Sequence, residues 1–214
     1  INRAARNLRT QRSYSVLVLL PDLANPFFST ILEGISSHLS HEGYSLLIAS
    51  TKQIHESGER LIDYLDDVRA DGIIILDGSL DPQVVEMLKD APQANRILFA
   101  CEWIEGTKFP SVRCQNRNGA RTAVRHLYEL DHRKIAHVTG PKENVLSITR
   151  KEAFIKEMAQ LNLVLKPEWI ITGDFSLAAG CLAAKTWIEF KERPTAVFCA
   201  SDQLAIGFIS ELSR

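Results

Sequence analysis

Several short stretches of the chain carry side chains that could recognise a small molecule, and most of them follow an apolar run. Asp22, Asn25, Phe27 and Phe28 come after VLVLL; the segment GPKENVLSITR runs from Gly140 to Arg150; GDF ends at Phe175; CASDQ spans Cys199 to Gln203. Aromatic rings stack on flat rings or on the apolar faces of sugars, and one guanidinium can fork two acceptors that lie in a plane. Phe27, Phe28, Phe175 and Arg150, with a few short polar groups, therefore suit a nucleobase, a nucleoside or a sugar. Phe28 shares the stripe of Ile31, Leu32 and Ile35, which favours a core position for it over a ligand contact. Phe27 stands about a third of a turn away and faces a cleft more easily.

Catalysis finds little support in the same residues. The chain has no GxSxG, HExxH, Walker A or GxGxxG pattern. Asp66 and Asp67 sit in a charged helical patch, and the spacing of His126, His132 and His137 requires no two of them to share a face. Cys101, Cys114, Cys181 and Cys199 are far apart, with no CxxC pair, and read as reduced core residues. No catalytic residue, metal ligand or cofactor is expected.

The elements that must position these groups alternate along the chain. Apolar runs at Ser15–Leu20, Ser45–Ala49, Gly72–Leu76, Arg96–Ala100, Lys134–Thr139 and Thr195–Ala200 predict strands buried on both faces. Helical spacing predicts helices over Phe27–His41, Glu56–Val68, Gln83–Lys89, Arg117–Leu130, Ile148–Leu161 and Ala178–Phe190. Such alternation is the mark of parallel sheets with crossover helices, and in open parallel sheets ligands sit beyond the carboxyl ends of the strands. The polar run GTKFPSVRCQNRN separates two α/β series. The expected organisation is a hinge segment over residues 1–13, a first subdomain over 14–115 and a second over 116–214, the last incomplete because the chain stops soon after opening a helix at Asp202.

Charge sharpens this division. Of 25 Lys and Arg residues, Arg3, Arg6, Arg9 and Arg12 stand in the first thirteen positions beside none of the 26 acids, so the remainder carries a balance of -5. One end is dressed for a polyanion. No apolar run reaches the roughly 18 residues of a membrane span and no secretory h-region opens the sequence, which predicts a cytoplasmic protein with no membrane contact.

NRAARNLRTQRS, VLVLLPDLANPFFSTILEGI, ADGIIIL, HLYELDHRKIAHVTGP, the arginine ten residues after Gly140, GDF and PTAVFCASDQLAIG together resemble the LacI family of transcription regulators, in family order and over the whole chain. RNLRT, the PFF segment, ITGDF and PTAVFCASD are most similar to its cytidine-responsive group. The resemblance implies two doubly wound subdomains of the type I periplasmic-binding-protein kind, joined through an N-terminal hinge to a helix-turn-helix that this sequence does not include. It implies effector contacts from Asp22, Phe27, Phe28, Asn116, Arg150, Phe175 and Ser201, and a hinge in which Asn2, Ala5, Arg6, Leu8 and Arg9 meet DNA, with Leu8 as the minor-groove wedge. Gln115, where the family usually has Asp, departs from the pattern. The implied partners are operator DNA, a second copy of the chain, a nucleoside or sugar effector, and the cyclic-AMP receptor protein, which the cytidine-repressor likeness suggests. A transporter's solute-binding protein would share the fold but has no use for the four arginines. An enzyme would need a positioned base or nucleophile.

Overall fold

The computed structural model describes residues 12–57 and 60–214; the hinge positions Asn2, Ala5, Arg6, Leu8 and Arg9 lie outside them. The aliphatic runs form parallel strands. β1 (Ser15–Leu20), β2 (Ser45–Ser50), β3 (Gly72–Ile75), β4 (Ile97–Ala100) and β5 (Ser111–Val112) make one sheet in the order β2-β1-β3-β4-β5. β6 (Ile135–Thr139), β7 (Ile170–Thr172) and β8 (Ala196–Cys199) make another in the order β7-β6-β8. The helices are α1 (Pro26–His41), α2 (Thr51–Ser57), α3 (Asp63–Asp66), α4 (Pro82–Asp90), α5 (Asn116–Glu129), α6 (Val145–Gln160), α7 (Leu177–Ile188) and α8 (Asp202–Leu212). Two compact units meet along the chain between Arg113 and Cys114, one sheet in each.

In the first unit the sheet is covered on both faces, because β1 and β3 are apolar at successive residues. Leu17, Leu19, Ile73, Ile75 and Phe99 pack under Leu61, Leu65 and Leu88, while Val18, Leu20 and Leu76 pack against Phe28, Ile31, Leu32 and Ile35 of α1. Each such burial contributes about 1.5–3 kcal/mol of transfer free energy. Gly43 ends α1 in the left-handed region at φ +75°, where the Tyr44 amide reaches back to the Leu39 carbonyl.

The second unit repeats the scheme. Val138 packs with Ala183, Ala184, Leu204 and Phe208 of α7 and α8, and Ile135 with Val124, Phe154 and Met158 of α5 and α6. The small residues bring α7 and α8 into backbone contact. A Cβ on Gly180 would stand 2.3 Å from the Leu204 carbonyl oxygen, and one on Gly207 would stand 2.0 Å from that of Leu177.

Four expectations are corrected. The strands are not all buried on both faces: β2 and β8, at the ends of their sheets among the described residues, are largely half-buried, with Ile48 exposed. The helix expected over Glu56–Val68 is two short ones, α2 and α3, with Val68 at φ +55° closing the second; Gly58 stands inside the expected span, where glycine weakens a helix by about 1 kcal/mol. α6 starts three residues earlier than the spacing predicts, because Asn144 caps it by accepting from the amides of Leu146 and Ser147. The cysteines are free, but Cys114 is exposed and the other three are half-buried, so none is a fully buried core residue.

Candidate functional site

In the first unit the site residues stand where β1 runs into α1. Asn25 caps α1, its side-chain oxygen taking the Phe27 amide at 3.0 Å, and Pro26 fills the first helical position. This cap fixes the angle at which the two phenylalanines leave the helix. Phe28 turns inward and is 6% exposed, whereas Phe27 is 53% exposed and meets the Phe28 ring edge-on at a centroid distance of 5.3 Å. The two are therefore not equivalent: Phe28 is a core residue that seats Phe27, the ring presented outward. Asp22 is exposed and accepts the Ala24 amide at 2.8 Å, a hydrogen bond that shapes its own turn.

Two strand-end acids of this unit were not among the predicted residues. Asp77, after β3, is buried and accepts from the Thr51 hydroxyl at 2.7 Å and the Ser79 amide at 2.8 Å. Glu102, after β4, is buried and accepts the Gly78 amide at 2.8 Å. Applying the strand-end rule to β3 and β4 as well as to β1 would have found both. A cavity of about 520 Å³ lies beside Asp77, bounded by Leu19, Thr51, Ile62, Ser79 and Leu88, and contains none of the predicted residues.

In the second unit the arginine is wired in place. Arg150 lies in the second turn of α6. Its Nε and Nη2 donate to the Asn116 side-chain oxygen at 2.9 and 2.7 Å, and its Nη1 donates to the Ala200 carbonyl at 2.5 Å. The other end of the Asn116 amide donates to the Cys114 carbonyl at 3.1 Å. One side chain from α5 and the backbone at the end of β8 thus hold this α6 guanidinium at a fixed point. Asn116 thereby positions Arg150.

Phe175 follows β7 with φ +68°, a left-handed backbone that a bulky residue adopts at a cost of about 1–2 kcal/mol. The turn is held on both sides. Asp174 accepts the Ser176 amide at 2.9 Å, and Ser176 caps α7 through the Ala179 amide. Hydrogen bonds from the Ser176 side chain and amide keep the Asp174 carboxyl below the usual carboxylate range. The Phe175 ring packs on the α7–α8 side of the core. Ser201 caps α8 by accepting the Leu204 amide at 3.3 Å, and it also borders a groove of about 280 Å³ with Val197, Asp202 and Phe208.

The histidines do not assemble. His137 is fully buried in β6, between the rings of Phe154 and Phe198 at 4.9 and 4.7 Å, with Nδ1 bonded to the Phe198 carbonyl. Burial drives its pKa down from 6.5 to about 4. His132 bonds Thr195, and His126 lies exposed on α5. Among the described residues no three His, Cys, Asp or Glu side chains form a metal-holding group, and no helix is long and apolar enough to cross a membrane.

Two parallel-sheet units with strand-end aromatic and arginine side chains define a class of ligand-binding α/β proteins, and comparison with known proteins places the chain within it. Residues 13–213 match the family described as periplasmic binding proteins and sugar binding domain of LacI family. The chain belongs to this family. Over 211 residues it is 31% identical to the HTH-type transcriptional repressor CytR of Escherichia coli K12, covering 98% of this chain and 61% of that protein. It is 28% identical to the repressor PurR of Vibrio vulnificus, covering 98% and 63%. Among solved structures, a LacI family transcriptional regulator from Lactobacillus casei with bound sucrose superposes at a TM-score of 0.79 and 25% identity, covering 93% of this chain and 73% of that one. The transcription regulator CcpA of Lactococcus lactis shares the fold at a TM-score of 0.81 and 21% identity, covering 94% and 73%. The chain thus spans about three fifths of the curated relatives' length.

Proposed function

We propose that this chain is the effector-binding part of a LacI-type transcriptional repressor, with no enzymatic activity, and that its effector is a nucleoside such as cytidine. The observation that carries the reading is Arg150, held by Asn116 and the Ala200 carbonyl in the same unit as the backbone-fixed ring of Phe175. Recognition of a planar, hydrogen-bonding ring needs both a face and a fork. Phe27 supplies a second, outward-facing ring from the first unit. The likeness to CytR favours cytidine over other nucleosides.

Asp22 and Ser201 are further contacts, in which the capping hydroxyl of Ser201 retains a lone pair for a ligand donor. Effector binding changes operator affinity in a dimer through the hinge residues Asn2, Ala5, Arg6, Leu8 and Arg9. A difference in effector affinity between the two states worth about 1–3 kcal/mol suffices for such a switch. A sugar effector is the second reading, favoured by the Lactobacillus casei regulator that holds sucrose.

Calorimetric titration of the full-length protein with cytidine, uridine, adenosine, ribose and a hexose tests the proposal. Saturable nucleoside binding that weakens in Phe175→Ala is the expected result. Heat with the hexose and silence with every nucleoside would transfer the assignment to a sugar.

A further inference from the structure

Gly140 and Phe175 lie 35 positions apart, yet they compete for one volume. A Cβ built on Gly140 would stand 2.2 Å from both Cε1 and Cζ of the Phe175 ring and 2.5 Å from the Ser147 hydroxyl oxygen. Carbon atoms in contact need about 3.5 Å or more. The ring therefore rests on the bare Cα of Gly140, in space that any other residue type would fill. Gly140 does not have a left-handed φ, so its smallness and not its backbone freedom is what the place requires.

Ser147, on the first turns of α6, turns its side chain to the same point. It is 3% exposed, and its hydroxyl finds no hydrogen-bond partner among the described residues. Phe175 meanwhile holds the left-handed backbone at φ +68°. A costly backbone and an unsatisfied hydroxyl converge where the ring sits. Packing alone would relax both, by letting the ring withdraw and water reach Ser147.

We propose that Gly140 is a positioning residue for effector selection: its missing side chain is the seat that sets the Phe175 ring at the depth where it stacks on a planar effector ring, and so discriminates a nucleoside from a free sugar. The inference rests on the reading of Phe175 and Arg150 as effector contacts. It extends that reading to a residue that touches no effector and to the order of preference among ligands. In Gly140→Ala the methyl group displaces the ring outward, into the space of the stacked ring. A planar base, which stacks over its whole face, weakens more than free ribose, whose puckered five-membered ring offers little flat apolar surface to the phenyl group.

The test is a double-mutant cycle on the full-length protein. Dissociation constants for cytidine and for ribose are measured by calorimetry in the wild type, Gly140→Ala, Phe175→Leu and the double variant. Gly140→Ala is expected to weaken cytidine by about tenfold, in line with loss of one base–aromatic stack, while ribose changes less than about twofold. In the Phe175→Leu background the Gly140→Ala step should have almost no further effect on cytidine, because the ring through which it acts is gone.

Equal weakening of both ligands, or an undiminished effect in the Phe175→Leu background, overturns the positioning role and makes Gly140 a general packing residue. Cytidine binding that depends on Phe175 but is indifferent to Gly140→Ala overturns the seat and leaves the effector site standing. Failure of the wild type to bind any nucleoside overturns both. If Gly140→Ala folds too weakly to titrate, the ring-current displacement of the Gly140 Hα protons in the wild type, and its loss in Phe175→Leu, reports the seat directly. Hα shifts that are the same in both overturn it.

Discussion

The two units hold their candidate effector contacts in opposite ways. In the first, Phe27 projects outward from the opening turn of α1, steadied by the buried Phe28 and the Asn25 cap. In the second, Arg150 is fixed by Asn116 and the Ala200 carbonyl, and Phe175 is fixed by its own backbone and by Gly140. The first unit thus offers an adaptable surface and the second a preorganised one. Preorganisation matters because a side chain already ordered has no further entropy to lose on binding, about 0.5–1.5 kcal/mol for one rich in rotamers.

Acid should separate the units most strongly. His137 is buried neutral, with its pKa depressed to about 4 from an unfolded value of 6.5. Between these values the unfolded chain binds the proton and the folded one does not. The stabilisation is therefore complete above about pH 6.5 and is lost as pH falls toward 4, a change of about 3 kcal/mol. Amide hydrogen exchange at pH 7 and pH 4.5 should show β6 and its neighbours losing protection before β1 and β3. Simultaneous loss in both sheets would erase this contrast, and His137→Leu should flatten the dependence.

The next effect in size is on binding. Arg150→Ala should weaken the effector by about 2–3 kcal/mol, since it removes charge-assisted hydrogen bonds and leaves the Asn116 oxygen unpaired. Phe27→Ala should cost about 1 kcal/mol and leave the melting temperature within a degree or two. Calorimetry on the two variants checks the ranking, and a larger effect at Phe27 would reverse the assignment of which unit is preorganised. The smallest expected effect is Ser147→Ala, which removes the unsatisfied buried hydroxyl and should raise stability by up to about 1 kcal/mol in urea denaturation.

How much of this could be read from the sequence follows from the range of each interaction. β1 and β3 declare themselves because they are buried on both faces and hence almost wholly aliphatic. β5 and β7, two and three residues long, carry no pattern of their own and exist because β4 and β6 offer them an edge. Caps are local, so the roles of Asn25 and Asn144 are legible in residues two or three positions away. The Asn116–Arg150 clamp spans 34 positions and the Gly140–Phe175 contact 35, and no local signal foretells either. Arg150 and Phe175 stand out by residue type and by their place after apolar runs, and the family resemblance adds their role as effector contacts. What the resemblance did not convey was that Phe28 faces the core and that Asn116 serves Arg150.

The crossing of α7 and α8 has a mechanical meaning. Where Gly180 and Gly207 bring two backbones closer than a methyl group would allow, neither helix can slide or roll without carrying the other. The pair behaves as one stiff lever with its near end at Phe175, the residue two before α7. Its far side is the outward flank of α8, where Ile206 and Ile209 stand exposed. A shift of the Phe175 turn is therefore expected to reach this flank through backbone-to-backbone contact at the two glycines.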